Sequence, residues 1–400
     1  MNYRRIGFYQ HEIAEGGTTK VLFDTMEFLS QYGCEFHLLT TKYCRERFAP
    51  SNESSTHTVH EFSNSEENPS LGNYNAIVKY AKERELDLLI MNAVFLPIYS
   101  ELHTECPKCK LVYWMHSSPF HEVKLILSDR KRKKNNSVVK WFKWYASTLP
   151  KHVLLNYYYK KHYRIEKHKL QSCDYYFVLT REFKQELIRT LHLTHDDSKK
   201  IFPIYNVQHP NPLLTRNKEK EVIFVGRLTF EKRVELLLNA WKIAEKLLPD
   251  WELKVYGDGE ERCYSEALAK KLKLRSCRFM GLSLEVERIM STAAICCLTS
   301  LIEGYPCVLL EAQANGVVPI SFDCGAGVRN ILSSQNGSAG ILIPQDDVRQ
   351  FAKELIHVCT DESFRDTLQD ACIKKSHVYT QEVNRSSWEG ILELTGKYNG

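Results

Sequence analysis

Two cations in the second half of the sequence have the types and spacing that suit a diphosphate. Arg227 follows a strand-like run that ends at Val225, and Lys232 comes five residues later, near the start of the next helical pattern. Open α/β sheets bind ligands at the carboxyl ends of their strands, and cations there stabilise charge that builds up on a leaving group. A solvated helix start would carry the same residues, so the pair alone leaves both interpretations open.

Two acids that lie eight residues apart form a second candidate group. Glu303 and Glu311 flank Gly304-Tyr305-Pro306, and Pro306 suits the first turn of the helix that carries Glu311. The amino end of such a helix offers backbone N–H groups and a positive dipole end to phosphate or sugar hydroxyls. Glu311 also lies in the apolar run 309–312, where an unpaired carboxylate is costly, so a ligand is favoured over an ordinary surface acid.

The first half of the sequence carries weaker candidates. Gly16-Gly17 opens a long amphipathic pattern and would let an anion approach the backbone, and His116 directly follows the strand-like run 111–115. Most Gly-Gly pairs are merely turns, and most single histidines are structural. The position of His116 at the carboxyl end of a strand nevertheless favours a functional role.

The thirteen cysteines predict neither a disulfide framework nor a metal site. They are scattered, odd in number and mostly within apolar runs, which indicates reduced core thiols. Cys106 and Cys109 form a lone CxxC without a second pair at zinc-finger spacing, and we interpret them as two inert thiols in a loop.

The basic character of the chain is concentrated in residues 121–170. This segment has 14 Lys or Arg and 3 Asp or Glu, a balance of +11 in a chain of net charge +5, together with eight aromatic residues. Aromatic rings favour the lipid headgroup region, and each Lys or Arg near an anionic bilayer contributes about 1 kcal/mol. We hypothesise that the segment docks on a membrane; a solvated helical hairpin with an aromatic core and a nucleic-acid patch are the alternatives. The residues expected to contact the membrane or the acceptor are Arg130, Lys131, Arg132, Lys133, Lys134, Trp141 and Trp144.

Strand-like and helix-like stretches alternate along the whole chain, and the alternation restarts after a polar, proline-containing stretch. This pattern predicts an α/β protein with two Rossmann-like domains that face each other across a cleft. We expect an N-terminal domain at 1–205, a linker at 206–220 and a second domain at 221–383, with a final helix at 384–400 that packs back on the first domain.

No segment of the sequence suits a membrane-spanning helix or a signal peptide. The longest run without a charge in the N-terminal half, Leu88–Ser100, has thirteen residues, whereas a spanning helix needs about 20. The first apolar run, Ile6–Tyr9, is too short for the core of a signal peptide. The sequence therefore predicts a cytoplasmic protein.

Several motifs together resemble one known family. They are Val225-Gly226-Arg227-Leu228 with Glu231-Lys232, Tyr256-Gly257-Asp258-Gly259, Ser300–Pro306 with Leu310-Glu311-Ala312, and Gly316–Ile320. In this combination the chain resembles the donor domain of glycosyltransferase family 4, a large family of retaining enzymes with the GT-B fold. The resemblance covers roughly residues 221–345, and the N-terminal half matches more weakly through Gly16-Gly17 and His116.

The resemblance implies a role for each candidate. The groups that would bind the donor diphosphate are Arg227, Lys232, Gly16-Gly17 and the backbone N–H groups of Cys307 and Val308. The groups that would hold the donor hexose are Glu303, the backbone of the following segment Gly304-Tyr305-Pro306, and His116. Glu311 would bind the ribose, and the backbone near Met280 would meet the base. The family works without a metal, in agreement with the absence of an Asp-x-Asp motif near a strand end, so no cofactor is expected. Cys324-Gly325-Ala326-Gly327 departs from the Pro-Ser-Gly-type loop of the family.

The sequence as a whole predicts a retaining glycosyltransferase. It would move a hexose or N-acetylhexosamine from a nucleotide diphosphate sugar, with UDP favoured on resemblance alone, to a glycan acceptor. We expect a lipid-linked acceptor on the inner face of the cytoplasmic membrane, in surface polysaccharide or lipopolysaccharide synthesis, and no nucleic-acid partner. The alternatives are a nucleotide-sugar epimerase of the same fold and a non-catalytic protein that binds nucleic acid or membrane through its basic segment.

Overall fold

The chain forms two compact units, each built on a parallel sheet. The computed structural model describes residues 4–14, 16–44, 57–62, 71–125, 155–208, 211, 215–283, 285–334 and 337–394. The first unit takes in the described residues up to 123, those from 155 to 205 and those from 381 onward. The second unit takes in residues 124–125 and the described residues between 206 and 380.

The first half of the chain supplies nine strands and six helices within the described residues. In chain order they are β1 (Arg4–Tyr9), β2 (Glu12–Ile13), α1 (Gly17–Ser30), β3 (Cys34–Thr40), β4 (Lys42–Tyr43), β5 (His57–Glu61), α2 (Leu71–Glu83), β6 (Leu88–Asn92), α3 (Tyr99–Glu105), β7 (Lys110–Trp114), α4 (Leu155–Gln171), β8 (Tyr175–Val178), α5 (Arg181–Leu191), α6 (His195–Lys199) and β9 (Ile201–Pro203).

The remaining elements follow in the same alternating order. They are β10 (Glu219–Val225), α7 (Val234–Ala244), β11 (Glu252–Tyr256), α8 (Arg262–Leu272), β12 (Cys277–Gly281), α9 (Val286–Thr292), β13 (Ala293–Leu298), α10 (Cys307–Ala314), β14 (Val318–Phe322), α11 (Ala326–Leu332), β15 (Ser333–Ser334), β16 (Gly337–Ser338), β17 (Ile341–Ile343), α12 (Val348–Thr360), α13 (Glu362–Ser376) and α14 (Arg385–Leu394), with short 3₁₀ turns at Phe230–Lys232, Glu245–Leu247 and Gln381–Asn384.

The sheet of the first unit has seven parallel strands in the order β5-β3-β1-β6-β7-β8-β9. Every residue of β6 is buried, as expected for a parallel strand covered on both faces. The strand β8 leads straight into α5 because the hydroxyl of Thr180 caps that helix by accepting from the backbone N–H of Phe183. In this sheet the strands β1, β6 and β7 are neighbours, so the residues that follow them lie at one edge.

The sheet of the second unit has six parallel strands in the order β12-β11-β10-β13-β14-β17. Its central strands β13 and β14 are wholly buried, and Trp241, Phe322 and Phe351 are among the large side chains of the core beside them. The loops after β10, β11 and β13 meet at one edge of this sheet. That edge carries the residues around Arg227, Asp258 and Glu303.

The last helix belongs to the first unit and supplies part of its core. Trp388 on α14 is fully buried, with its ring centroid 5.3 Å from that of Phe177 and 6.1 Å from that of Trp114. Asn384 also exchanges two hydrogen bonds with the backbone of Tyr205.

Two predicted boundaries need correction. The strand β10 begins at Glu219, inside the predicted linker 206–220, because residues 219–225 pair with the neighbouring strands β11 and β13. The chain returns to the first unit at Gln381 rather than 384, since the buried amide of Gln381 donates to the carbonyl of Asp24. The final helix begins at Arg385 and is described up to Leu394.

None of the helices in the described ranges combines the length and the apolar character that crossing a membrane requires.

Candidate functional site

Two loops at the edge of the second sheet are joined through an ion pair. Lys232 lies in the 3₁₀ turn before α7, and its Nζ is 2.7 Å from Oε1 of Glu303 in the loop after β13. The two side chains are 21% and 12% exposed, so the pair is mostly buried but still partly open to solvent. The hydroxyl of Thr299 donates to the carbonyl of Lys232, and the N–H of Leu301 donates to that of Glu231, which stitches the two loops together.

Arg227 lies on the wall of a cavity. The side chain is exposed, and the cavity has a volume of about 530 Å³. The other residues of its lining are Thr229, Phe230, Glu231, Asp258, Gly259 and Glu260. The structure thus joins Lys232 to Glu303 directly, and a joint diphosphate contact by Arg227 and Lys232 stays a prediction.

A glycine makes the close approach beneath this cavity possible. Gly257 has φ +133°, and a Cβ there would lie 1.9 Å from the carbonyl oxygen of Gly226. The same two loops exchange backbone hydrogen bonds from Gly226 to Tyr256 and from Leu228 to Asp258. No larger residue fits at Gly257, which explains on steric grounds why the motif Tyr256-Gly257-Asp258-Gly259 has glycine at this position.

The helix α10 begins immediately after the loop that carries Glu303. Pro306 precedes its first residue, Cys307, instead of lying in the first turn as predicted, and Glu311 lies in its second turn, partly buried. The backbone N–H groups of Cys307 and Val308 belong to the first turn, where helices have donors without intrahelical acceptors. The arrangement can offer N–H groups and a positive dipole end to an anion.

Tyr305, predicted to help hold the hexose, points its side chain into the protein. It is 2% exposed, and its hydroxyl donates to Oδ1 of Asn330 at 2.9 Å. Its carbonyl accepts from Nδ2 of Asn206 at 2.7 Å. Ligand contact through the ring of Tyr305 is therefore excluded, and the segment can reach a sugar only through its backbone. Asn206 and Asn330, which the sequence did not reveal, fix this loop from two sides.

The segment that departs from the family pattern also supports the loop. Cys324 is buried, which raises its thiol pKa, and Ala326 and Gly327 are the first residues of α11. A Cβ on Gly327 would lie 1.8 Å from the carbonyl oxygen of Gly304. The position therefore requires glycine. Met280 lies apart from these residues, on the edge strand β12, and its side chain is 47% exposed.

In the first unit, His116 is the end of a chain of buried amides. Its Nε2 is 2.6 Å from Oδ1 of Asn92, and Nδ2 of Asn92 donates to Oε1 of Gln10, also at 2.6 Å. Nε2 of Gln10 donates to the hydroxyl of Thr19 and to the carbonyl of Glu12, each at 2.8 Å. Desolvation lowers the pKa of His116 to about 3, so its ring is neutral at physiological pH.

The same series of hydrogen bonds connects His116 with the start of α1, where the Gly16-Gly17 turn lies. Gly17 is the first residue of α1, and Gly16 precedes it with φ +153° and open space around a hypothetical Cβ. Nδ2 of Asn92 also lies 3.5 Å from the carbonyl of Thr18 in the first turn of α1. The two N-terminal candidates thus share one sheet edge, and the residues that connect them, Gln10, Asn92 and Thr19, were not predicted.

The CxxC pair lies in the short connection between α3 and β7, in a loop as predicted. A hydrogen bond between the two thiols lowers the pKa of Cys106 to about 6 and, together with burial, raises that of Cys109 well above its usual value. Cys106 is partly exposed and follows α3, whereas Cys109 is buried directly before β7. In the part of the chain that the structure describes, no three His, Cys, Asp or Glu side chains group as metal ligands would.

Of the predicted basic and aromatic segment 121–170, the structure describes residues 121–125 and 155–170. The residues Arg130, Lys131, Arg132, Lys133, Lys134, Trp141 and Trp144 lie outside the described residues. The helix α4 falls within the segment, and its exposed side chains include Tyr157, Lys160, Lys161, Arg164 and Lys167.

Comparisons with known proteins find similarity to glycosyltransferases. A family model described as "Glycosyl transferases group 1" matches residues 208–376. An uncharacterized glycosyltransferase of Haemophilus influenzae is 25% identical over 399 residues, which cover 97% of this chain and 100% of that protein. The lipopolysaccharide 1,6-galactosyltransferase of Salmonella typhimurium is 28% identical over 213 residues, 50% of this chain and 58% of that protein.

A solved structure shares the fold along the whole chain. The pneumococcal O-GlcNAc transferase GtfA, in complex with UDP and GlcNAc, aligns with a TM-score of 0.72 and 12% identity over 100% of both chains. The fold class is therefore GT-B, as predicted.

Proposed function

We propose that this chain, a glycosyltransferase whose residues 208–376 match the group 1 glycosyl transferase model, transfers a hexose or N-acetylhexosamine from a UDP-linked donor to a glycan acceptor. The observation that carries the proposal is the Lys232–Glu303 ion pair in the loops before α7 and α10. A cation and a carboxylate held together can bind unlike parts of one ligand. Lys232 would meet the diphosphate and Glu303 the sugar hydroxyls.

Charge argues for this division of roles. Negative charge builds up on the diphosphate as its bond to the sugar breaks, and a fixed cation stabilises that charge most in the transition state. Arg227 on the cavity wall and the N–H groups at the amino end of α10 would add to it. The ion pair with Glu303 holds Lys232 in place before the donor binds, so less ordering is required at the moment of reaction.

We propose that transfer occurs with retention and without a metal. The leaving diphosphate would stay beside the sugar and accept the acceptor's proton. The pKa of about 3 makes His116 a poor base at neutral pH, which supports a proton acceptor other than this histidine. Turnover that persists in EDTA, with an α-linked product from an α-linked donor, is the expected result. Loss of activity in EDTA with recovery on adding Mg²⁺ would contradict the metal-free mechanism.

The UDP donor and the lipid-linked acceptor rest on relatives. GtfA is complexed with UDP and GlcNAc, and the Salmonella protein is named as a lipopolysaccharide galactosyltransferase. We therefore propose a role in surface polysaccharide or lipopolysaccharide synthesis at the inner membrane face. Exposed Lys160, Lys161 and Arg164 on α4 suit anionic headgroups, as do the cations at 130–134.

Membrane contact is tested by co-sedimentation with vesicles that do or do not contain phosphatidylglycerol. A variant with Arg130, Lys131, Arg132, Lys133 and Lys134 changed to Gln should lose binding, and salt should weaken the binding of the unchanged protein. Binding that ignores the anionic lipid, the salt and the five changes would contradict this part of the proposal.

The activity itself is tested with radiolabelled sugar donors. The purified protein is incubated with UDP-glucose, UDP-galactose, UDP-GlcNAc, UDP-GalNAc or GDP-mannose, with and without a bacterial lipid extract. Labelled lipid together with released UDP is the expected outcome. Conversion of one UDP-sugar into its epimer would instead support the epimerase alternative. Thermal unfolding with UDP and GDP checks the base, since a ligand at 100 times its Kd stabilises by about 2.7 kcal/mol.

A further inference from the structure

The hydrogen bonds between the buried amides behind His116 all run in one donor-to-acceptor order, and that order determines which nitrogen of the imidazole carries the proton. We propose that Gln10 and Asn92 are positioning residues that fix His116 as the Nε2–H tautomer, so that its Nδ1 accepts a hydrogen bond from a hydroxyl of the donor sugar. The tautomer follows from contacts inside the first unit. The ligand half of the proposal rests on the proposed function.

The donor-to-acceptor order of these hydrogen bonds is fixed at Gln10, the residue farthest from His116. The carbonyl of Glu12 can only accept a hydrogen bond, so the group of Gln10 that lies 2.8 Å from it must be the amide nitrogen. A flipped Gln10 would place two acceptor oxygens against each other. The second N–H of this amide donates to the hydroxyl oxygen of Thr19, at 2.8 Å from Nε2 of Gln10. Gln10 is 6% exposed and Thr19 is 2% exposed, so water does not compete for these bonds.

Each further amide is then oriented by the one before it. The oxygen of Gln10 faces Asn92, which must present Nδ2 to it at 2.6 Å. Nδ2 lies near the Thr18 carbonyl as well, a second acceptor that favours the same orientation. Asn92 is fully buried, and its remaining polar atom, Oδ1, faces Nε2 of His116 at 2.6 Å. An amide oxygen only accepts, so the imidazole must donate from Nε2.

The other ring nitrogen is left as an acceptor. A neutral imidazole carries one proton, and with that proton on Nε2 the Nδ1 lone pair is unprotonated. Within the described ranges the ring of His116 has no second hydrogen bond, and the residue is partly exposed. Trp114, whose ring centroid lies 4.8 Å away, packs on the imidazole and limits its rotation.

This tautomer selects its ligand. An unprotonated Nδ1 attracts a hydroxyl and repels the oxygens of a phosphate, which only accept. His116 would therefore contact the sugar of a UDP-sugar rather than its diphosphate.

The tautomer is measured by NMR on protein labelled with ¹⁵N-histidine, at neutral pH. Correlations from the ring carbon-bound protons show which nitrogen carries the proton, and His116→Gln identifies the signal. We expect a single Nε2–H form in the unchanged protein. In Gln10→Leu, where Asn92 is no longer oriented, His116 should show a mixture of tautomers although residue 10 does not touch it. His37, a buried histidine bonded to Tyr80 in the same unit, is the internal control and should not change.

Several outcomes would overturn the assignment. A proton on Nδ1 in the unchanged protein contradicts it directly, without any variant. An unchanged His116 signal in Gln10→Leu would show that the amide chain does not control the ring. If Gln10→Leu fails to fold, as circular dichroism would show, Asn92→Asp keeps an acceptor beside Nε2 but adds charge. His116 should then keep its Nε2 proton and become easier to protonate at Nδ1, and a failure to do so would contradict the proposal.

The ligand half has its own readout. UDP-glucose, UDP-galactose and UDP-GlcNAc are titrated into the labelled protein, with UDP alone as the matched control. The Nδ1 signal of His116 should move with at least one UDP-sugar and not with UDP. An equal movement with UDP alone would exclude the sugar hydroxyl, as would no movement when calorimetry shows that the UDP-sugar binds. Absence of binding by every nucleotide would count against the proposed function and leave the tautomer result standing.

Discussion

The two halves of the molecule present opposite kinds of polar site at equivalent edges of their sheets. In the second unit, Lys232 and Glu303 are both charged, partly open to solvent and held by loops. In the first unit, His116 is neutral and ends a chain of amides that are fully or almost fully buried. A charged pair can follow the build-up of charge on a leaving diphosphate, whereas a neutral ring held in one tautomer can only distinguish donors from acceptors. The charged pair of the second unit and the neutral histidine of the first unit therefore suit different kinds of ligand group.

Removing either member of the charged pair should have the largest effect. Lys232→Ala and Glu303→Ala should each lower turnover by about 100-fold or more, because each deletes a fixed charge at the reacting bond. Steady-state kinetics with radiolabelled UDP-sugar measures the change. Arg288→Ala, which breaks an exposed ion pair with Glu285 in the same unit, is the matched control and should leave turnover unchanged. Near-normal turnover in both site variants would contradict a role for the Lys232–Glu303 pair in the reaction.

The loop that carries Glu303 should be sensitive to a single methyl group. Gly327→Ala places a Cβ against the Gly304 carbonyl and should lower the free energy of unfolding by about 1–3 kcal/mol, with a parallel loss of activity. Urea unfolding gives the value. Gly390→Ala on α14 is the control, because nothing lies within 4 Å of a Cβ there, and it should leave stability equal or higher by up to about 1 kcal/mol. Equal behaviour of the two variants would show that the close approach at Gly327 does not matter.

Glu311 tests how far the charged site extends along α10. Glu311→Ala should weaken UDP binding about tenfold, roughly 1.4 kcal/mol, if its carboxylate accepts from the ribose hydroxyls. Calorimetric titration with UDP measures this change. Asp366→Ala, an exposed acid on α13, should leave UDP affinity as it is. If both variants bind UDP equally well, Glu311 is an ordinary helix acid and the site ends at the first turn.

The neutral state of His116 should be detectable in the way the free energy of unfolding depends on pH. The folded pKa of His116, about 3, lies below the ordinary value of 6.5, so above pH 6.5 the ring is neutral in both states and costs nothing. As the pH falls from 6.5 towards 3, only the unfolded state takes up the proton, and stability drops by up to about 1.4 kcal/mol per pH unit. His116→Gln lacks this loss. Urea unfolding of both proteins at pH 7.5, 6 and 5 should therefore give curves that converge or cross, and parallel curves would contradict a neutral His116.

The sequence revealed the charged half far better than the neutral half. Arg227, Lys232, Glu303 and Glu311 lie within one run of about ninety residues, and strand–loop–helix patterns mark the end of each strand beside them. Gln10 and Asn92 are 82 positions apart, and no local pattern couples two uncharged amides at that distance. Their position at the ends of β1 and β6 was the one available signal, and it acquires meaning only once the sheet order makes these strands neighbours.

For the fold as well, features that depend on neighbouring residues in the sequence were easier to predict than features that depend on distant ones. Alternating apolar runs sufficed to predict most strands, because buried parallel strands are continuously apolar. Short or half-exposed strands gave no such signal and were missed: β5 has no fully buried residue, β9 has three residues, and β2, β4, β15 and β16 have two each. Tyr305 was predicted to reach the hexose through its backbone, and the sequence did not show that Asn330 turns its side chain inward.

The burial of Trp388 between Trp114 and Phe177 has a consequence for synthesis on the ribosome. Residues 206–380 form an uninterrupted stretch, so the second unit can complete its core as soon as that stretch has emerged. The first unit, although translated earlier, lacks the ring that covers two of its strands until residue 388 is made. During translation the half that is made first is therefore the half that finishes folding last.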